Sequence, residues 1–348
     1  MKFKAAYSIG FCFLGSVLVL SSIIAAQQQN TGGPRRFPQP APETEVTVTA
    51  IPGVIAAGAR WKLVWQGSDN ADGLVATKDG GILFAQEQPS TVAMLDPNDK
   101  FSIFVRDTRG TGGVAFDNKG RLIGAERTCS DPGGKPEECH EPARLAILHP
   151  TRGVLASNYN GKTFWRMNGD VAPDSRGGVY FADAAGTYYV NPAGKVSLVA
   201  GKDEVRSNGT ILSPDEKTLY LTNGTTIVAY DVRPDGATTN KRTFATLEGG
   251  ASGDGLCVDS EGRLYVTSQA GGIQVFSPQG RYLGTIPLPR HASSVVFSGP
   301  NKKVLYAKGA GMKRPDGSEY RTPEGVRNNA KAIYKIDMIA QGFMGRTR

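Results

Sequence analysis

Hydrophobic and polar positions follow a repeating pattern along the chain. Six times a polar turn opens into a short apolar run. The six are Asp79-Gly80-Gly81-Ile82-Leu83-Phe84, Asn118-Lys119-Gly120-Arg121-Leu122-Ile123, Ser175-Arg176-Gly177-Gly178-Val179-Tyr180, Asp215-Glu216-Lys217-Thr218-Leu219-Tyr220, Ser260-Glu261-Gly262-Arg263-Leu264-Tyr265 and Asn301-Lys302-Lys303-Val304-Leu305-Tyr306. From Ile82 to Leu122, Val179, Leu219, Leu264 and Leu305 the steps are 40, 57, 40, 45 and 41 residues. Aromatic and β-branched runs bounded by Asp-Gly and Pro-x-Gly turns are strands joined by hairpins. A period of about 40–45 residues built from such strands is the signature of propeller blades. The pattern predicts an all-β chain, a six-bladed β-propeller with four-stranded antiparallel blades. No helix longer than a turn or two is expected.

The long second step is assigned to an insertion around Cys129–Cys139, and Lys313 to Asn329 forms a second long loop. The run Trp61-Lys62-Leu63-Val64-Trp65 has no partner in its own unit. It is expected to pair with Ala332-Ile333-Tyr334-Lys335-Ile336 and so close the ring, which removes the open sheet edges.

The N-terminus changes the picture of where the fold begins. Lys2 and Lys4 precede an apolar stretch from Ile9 to Ala26 that ends in small residues, the pattern of a secretory signal peptide. An uncleaved anchor is the competing reading, since the stretch nearly reaches bilayer length. Residues 27–45 are Gln- and Pro-rich and read as a disordered linker. The division is therefore a signal peptide at 1–26, a linker at 27–45 and a propeller at 46–348. It implies a secreted or periplasmic protein, with no membrane span after cleavage, and a monomer is expected.

Formal charge is +8, and losing Lys2 and Lys4 leaves +6. The basic residues are scattered and do not interleave with aromatics, which argues against a nucleic-acid partner. Cys129 and Cys139 read as a disulfide closing a small loop in an exported protein, with two free thiols as the alternative. Cys257 lies in an apolar run and reads as a buried, unreactive residue.

Candidate chemistry sits at the start of the units, where a propeller's inner strands converge. Asp72, Asn168 or Asp170, Asn208 and Asp254 each precede an apolar strand at a similar phase. Carboxylates and amides converging on one axis make an oxygen-rich cage for one hard divalent cation, Ca²⁺ ahead of Mg²⁺ or Mn²⁺, with Zn²⁺ less suited to such ligands. The competing reading is that Asp-Gly and Asn-Gly are turn formers.

These same stretches carry a resemblance. Ser207-Asn208-Gly209 with Ser213-Pro214-Asp215-Glu216-Lys217-Thr218-Leu219-Tyr220, and Gly253-Asp254-Gly255-Leu256 with Asp259-Ser260-Glu261-Gly262-Arg263-Leu264-Tyr265, resemble the gluconolactonase or senescence marker protein (regucalcin) family of six-bladed propellers. The similarity runs from about Asp72 to Asp337. It implies one divalent metal in the channel and hydrolysis of a small-molecule lactone of the aldonolactone type. By that resemblance Asn208 and Asp254 match metal ligands, and Asp254 also matches the acid/base. Asp72 falls where the family usually has Glu. In the third blade Asn168-Gly169-Asp170 interrupts the family's Asn-Asp pair, so either Asn168 or Asp170 takes the ligand role. Arg166 matches an arginine that meets substrate.

Three further residues are read from position alone. His291 stands near the phase of the channel residues in the sixth unit. Glu126 and Arg127 either face the channel or form a solvated pair at a strand end. No Gly-x-Ser-x-Gly elbow is present, so a serine-esterase reading lacks its motif. A lactone hydrolase leads. An aryl-ester or organophosphate hydrolase on the same propeller and a non-catalytic binding propeller are the alternatives, because a fold does not fix a function.

Overall fold

The computed structural model describes residues 43–345 apart from 68–70, 88, 128–140, 165, 168, 269–270 and 311–330. The expected signal peptide, most of the expected linker, Asn168, the Cys129–Cys139 disulfide and the Lys313–Asn329 loop therefore lie outside the described residues.

Strand β1 (Lys62–Gly67) comes first in the chain and is used last in the ring. Blade one contains β2 (Leu74–Ala76), β3 (Ile82–Gln86), β4 (Thr91–Leu95) and β5 (Phe101–Arg106). Blade two contains β6 (Val114–Phe116), β7 (Leu122–Glu126), β8 (Arg144–His149) and β9 (Gly153–Ala156). A two-stranded hairpin follows, β10 (Asn158–Tyr159) with β11 (Lys162–Thr163). Blade three contains β12 (Val171–Pro173), β13 (Val179–Asp183), β14 (Gly186–Val190) and β15 (Val196–Gly201). Blade four contains β16 (Thr210–Leu212), β17 (Thr218–Asn223), β18 (Thr226–Val232) and β19 (Thr238–Thr246). Blade five contains β20 (Gly253–Val258), β21 (Leu264–Ser268), β22 (Ile273–Phe276) and β23 (Tyr282–Ile286). Blade six contains β24 (His291–Ser298), β25 (Val304–Ala310) and β26 (Lys331–Asp337), with β1 as its fourth strand. All pairings are antiparallel, giving six four-stranded blades of a β-propeller. The only helical segments among the described residues are the single turns Glu248–Gly250 and Pro300–Lys302. None is long and apolar enough to cross a membrane.

The expected ring closure is observed. Lys62 stands opposite Lys335 and Gln66 opposite Ala332. The long second step holds one feature beyond the expected insertion, the β10–β11 hairpin. Its strands are two residues each, too short to carry an apolar period.

The repeated turns have a chemical cause. Asp117, Asp174 and Asp259 directly follow the first strands of blades two, three and five. In each, Oδ1 accepts two backbone N–H bonds from residues two and four further on: Lys119 and Arg121, Arg176 and Gly178, Glu261 and Arg263. The carboxylate thus replaces part of the hairpin's own hydrogen bonding. In blades three and five Oδ2 also accepts a tyrosine hydroxyl, Tyr189 and Tyr265, each at 2.9 Å. The turn is thereby pinned to the core behind it.

The first strands of successive blades touch around the ring and β24 returns to β2, so they line the axis. Apolar side chains fill the wedges between blades. Tyr265 of blade five meets Phe297 of blade six edge-on, with centroids 4.9 Å apart. Cys257 is fully buried in this layer, as its sequence context suggests. The segment before β1 also packs here, with Ile51, Val54 and Ile55 buried against blades five and six.

Closure is reinforced by one carboxylate from blade one. Asp99 accepts from Lys62 of β1 at 3.0 Å and from Lys335 of β26 at 2.7 Å. Burial alone would raise the Asp99 pKa, but the two lysines outweigh it and hold it below the usual value. A depressed folded-state pKa contributes stability above the unfolded value of about 4, lost as pH falls through the folded value. Asp99→Asn is expected to cost about 1 kcal/mol at neutral pH, the upper range for exposed pairs. Melting curves at pH 7 and near pH 3 check this: the gap between wild type and variant narrows on acidification.

Candidate functional site in the channel

The site is built by the first strands where they meet the axis. Two places before the apolar stretch stand Asp72 in blade one, Gly112 in blade two, Gly169 in blade three, Asn208 in blade four and Asp254 in blade five. Ser293 takes the place in blade six, since its carbonyl is what a side chain at Gly255 would meet. Glycines let these strands come together. A methyl group at Gly73 would lie 2.7 Å from the Gly112 carbonyl oxygen. At Gly113, Gly169 and Gly209 it would lie closer still to the carbonyls of Gly169, Asn208 and Asp254, each in the next blade. Across one of these seams the Asp170 N–H donates to the Asn208 carbonyl at 3.0 Å.

Two of the strands bulge at this level. In β20 the register jumps between Gly253 and Leu256, which leaves Asp254 in the irregular step. In β24 it jumps between Ala292 and Ser294, which leaves Ser293 there. Bulges re-aim side chains and recur beside functional sites.

The side chains gathered here are charged. Asp72 Oδ1 accepts from Lys308 Nζ at 2.7 Å, and Asp72 Oδ2 accepts from Arg127 Nη1 at 3.1 Å. Arg127 also pairs with Glu87. Lys308 and Lys331 are 3% and 5% exposed, so both ammonium groups are buried. Burial would raise the Asp72 pKa, yet Lys308 and Arg127 hold it well below the carboxylate range. Asp254 behaves oppositely. Burial pushes it up to about 7, opposed by Lys308 and assisted by Asp72 and Asp170. Lys331 is pushed down to about 7 by burial and by the charge of Lys308, against Asp72 and Asp254. His291, half-buried, is lowered by burial and by Lys331 and Lys308. His291 Nδ1 and Ser293 Oγ are buried without a hydrogen-bond partner among the described residues.

Of the residues singled out in the sequence, Asp72 and Asp170 both act on the charge of Asp254. In the third blade β12 begins at Val171, so Gly169 stands two places before it; the charge of Asp170 acts on Asp254, while Asn168 lies outside the described residues. Asn208 is half-buried on the same ring, with its N–H donating to Thr222 Oγ1 at 3.3 Å. His291 joins the cluster from β24. Arg166 precedes β12 in the third blade. It is exposed, and its backbone N–H donates to Asp183 Oδ2 at 2.9 Å. Glu126 is no solvated pair. It is fully buried at the end of β7 and held by Arg144 and Arg152 from within blade two. Lys308 and Lys331 were not marked by any motif. The available signal was a lysine inside the otherwise apolar run Val304–Ala310.

Whether this set suits a divalent cation is decided by its donors. Both oxygens of Asp72 are engaged by cationic side chains. Among the described residues no three His, Cys, Asp or Glu side chains come together closely enough to hold a metal ion. A dication about 4 Å from one ammonium group would be repelled by roughly 8 kcal/mol at an effective dielectric of about 20. With both Asp72 oxygens taken by cationic side chains, the donor set of the described residues in this arrangement does not fit a hard divalent cation.

Arg127 is the structural link of the cluster. A side chain at Gly112 would collide with its guanidinium, so that glycine makes its berth. Replacing a buried ion pair's cation leaves uncompensated carboxylates, a loss of about 3–5 kcal/mol. Arg127→Met is expected to lower the urea midpoint accordingly, and an unchanged midpoint would show that Glu87 and Asp72 do not depend on it.

Known proteins agree with this architecture. Residues 146–310 match the family model described as SMP-30/Gluconolactonase/LRE-like region. A gluconolactonase of Zymomonas mobilis is 28% identical over 267 residues, covering 67% of this chain and 71% of the relative. The lactonase drp35 of Staphylococcus haemolyticus is 26% identical over 268 residues, covering 70% and 74%. Among solved structures, a Xanthomonas campestris gluconolactonase superposes with a TM-score of 0.66 at 20% identity, over 86% of this chain and 98% of that one. An Agrobacterium tumefaciens regucalcin, described as a calcium-binding protein, gives 0.59 at 13% identity, over 82% and 95%. The chain is thus a six-bladed propeller that resembles the gluconolactonase and regucalcin family, and its residues 146–310 match the model of the SMP-30/gluconolactonase/LRE-like region.

Proposed function

We propose that the channel hydrolyses a lactone, with Asp254 as the acid/base. The observation that carries this reading is Asp254 itself: a carboxyl group set in a strand bulge on the axis and poised near neutrality. Relatives named gluconolactonase and lactonase support the reaction class. A general base works best when its pKa lies near the working pH. Ionised Asp254 takes a proton from water as the water oxygen bonds to the lactone carbonyl carbon. The tetrahedral intermediate then collapses, the carbon–ring oxygen bond breaks, and Asp254 returns the proton to that oxygen. Water and lactone are consumed and one hydroxy acid leaves.

The unmet polar atoms of the sixth blade fit a hydroxylated substrate. His291 Nδ1 and Ser293 Oγ are buried hydrogen-bonding atoms without a partner among the described residues, and a buried polar group left without a partner is costly. A sugar-type lactone satisfies both. The signal-like start of the chain supports export before this activity is used, and the N-terminal residue of the protein recovered outside the cytoplasm tests that part.

General acid–base groups typically contribute about 10²–10⁴-fold. Asp254→Asn is therefore expected to lower kcat/KM for an aldonolactone such as glucono-δ-lactone by about that factor, measured by acid release. A variant with parental activity removes Asp254 from the mechanism.

A further inference from the structure

We propose that the ammonium group of Lys308, backed by Lys331, supplies the positive charge of the channel site in place of a divalent cation. The inference rests on the lactone-hydrolase reading only for the reaction it serves, while the charge arrangement stands on geometry alone.

Asp72 is the first argument. Its two oxygens meet Lys308 Nζ at 2.7 Å and Arg127 Nη1 at 3.1 Å, so both face cations belonging to the chain. Burial is the second. Lysines are almost never fully buried unless paired, yet two are buried here, at 3% and 5% exposure, both from blade six. That blade places Ser293 on the axial ring instead of an acid, and sends its charge from β25 and β26. The third argument is balance. Asp72, Glu87, Asp170 and Asp254 face Arg127, Lys308 and Lys331, a nearly neutral set without any added ion.

A lysine can do the electrophilic work. Its ammonium is a compact charge with three donors on a flexible stem. Preorganised positive charge aimed at a developing oxyanion is the largest contribution in many acyl transfers. Lys308 already acts on both Asp72 and Asp254. A carbonyl oxygen presented to it stands in the same charge field that reaches the proposed base.

The test is a calorimetric titration of the chelator-stripped full chain with Ca²⁺, Mn²⁺ and Zn²⁺ in turn. Wild type is expected to show no saturable binding in the micromolar range that depends on Asp254. The double variant Lys308→Met/Lys331→Met is expected to gain at least about tenfold in affinity, as the carboxylates lose their internal cations. One equivalent bound by wild type at micromolar affinity and lost in Asp254→Asn overturns the proposal. A folded double variant that gains no affinity overturns it as well. Should the double variant not fold, the wild-type titration alone decides. Binding that survives in Asp254→Asn lies outside the channel and agrees with the proposal. The heat of metal binding needs no substrate, so absent lactone turnover would refute the hydrolase reading and leave this one standing. Where turnover is seen, kcat/KM is expected to be the same with chelator and with added cation.

Discussion

Everything at the axis depends on how closely the first strands of neighbouring blades approach. The carbonyls of Gly112, Gly169, Asn208 and Asp254 occupy the space where the glycines of the preceding blades would otherwise carry a side chain. These positions do not depend on left-handed backbone; none of Gly73, Gly113, Gly169 or Gly209 has a positive φ. The requirement is space. With the strands this close, side chains from blades one, three, five and six share a single small volume, and residues separated by more than 200 positions, such as Asp72 and Lys308, form a direct ion pair.

That proximity creates an electrostatic problem which the chain solves internally. Several carboxylates on one axis repel one another and resist burial. Blade two answers with Arg127, set in the space left by Gly112, and blade six answers with Lys308 and Lys331. The answer is unequal. Asp72 is fully compensated and held ionised, whereas Asp254 is left with too little positive charge to lower its pKa. Two carboxylates of the same type, in comparable ring positions, are thereby set to different tasks. One anchors the cations and the other remains able to exchange a proton near neutrality.

The blades were legible in the sequence because each turn is encoded locally. An Asp and a Gly four or fewer residues apart satisfy the hairpin's own backbone groups, and the apolar run that follows has few other places to go. The closing strand was legible for a related reason: Trp61 to Trp65 had no partner nearby, and only the last blade lacked a fourth strand. The site was legible in part. Asp72, Asn208 and Asp254 share a phase, and phase is what a repeat preserves. Blade three hid its carboxylate because Gly169 stands two places before the strand, where blade one has Asp72, and Asp170 is one residue nearer to it. Glu126 resembled a solvent pair because its partners, Arg144 and Arg152, stand 18 and 26 residues further along the chain and become neighbours only through the folding of blade two. Lys308 and Lys331 were the least legible. A lysine in a strand reads as a surface residue, and only the approach of blade six to blade one turns it inward.

Lys308 as the channel's cation is open to direct observation. A high-resolution crystal structure of the protein soaked in a calcium salt tests it most directly. Lys308 Nζ is expected within hydrogen-bond distance of Asp72, with no ion between Asp72 and Asp254. An ion coordinated there by Asp72, Asn208 and Asp254, with Lys308 turned away, would contradict it.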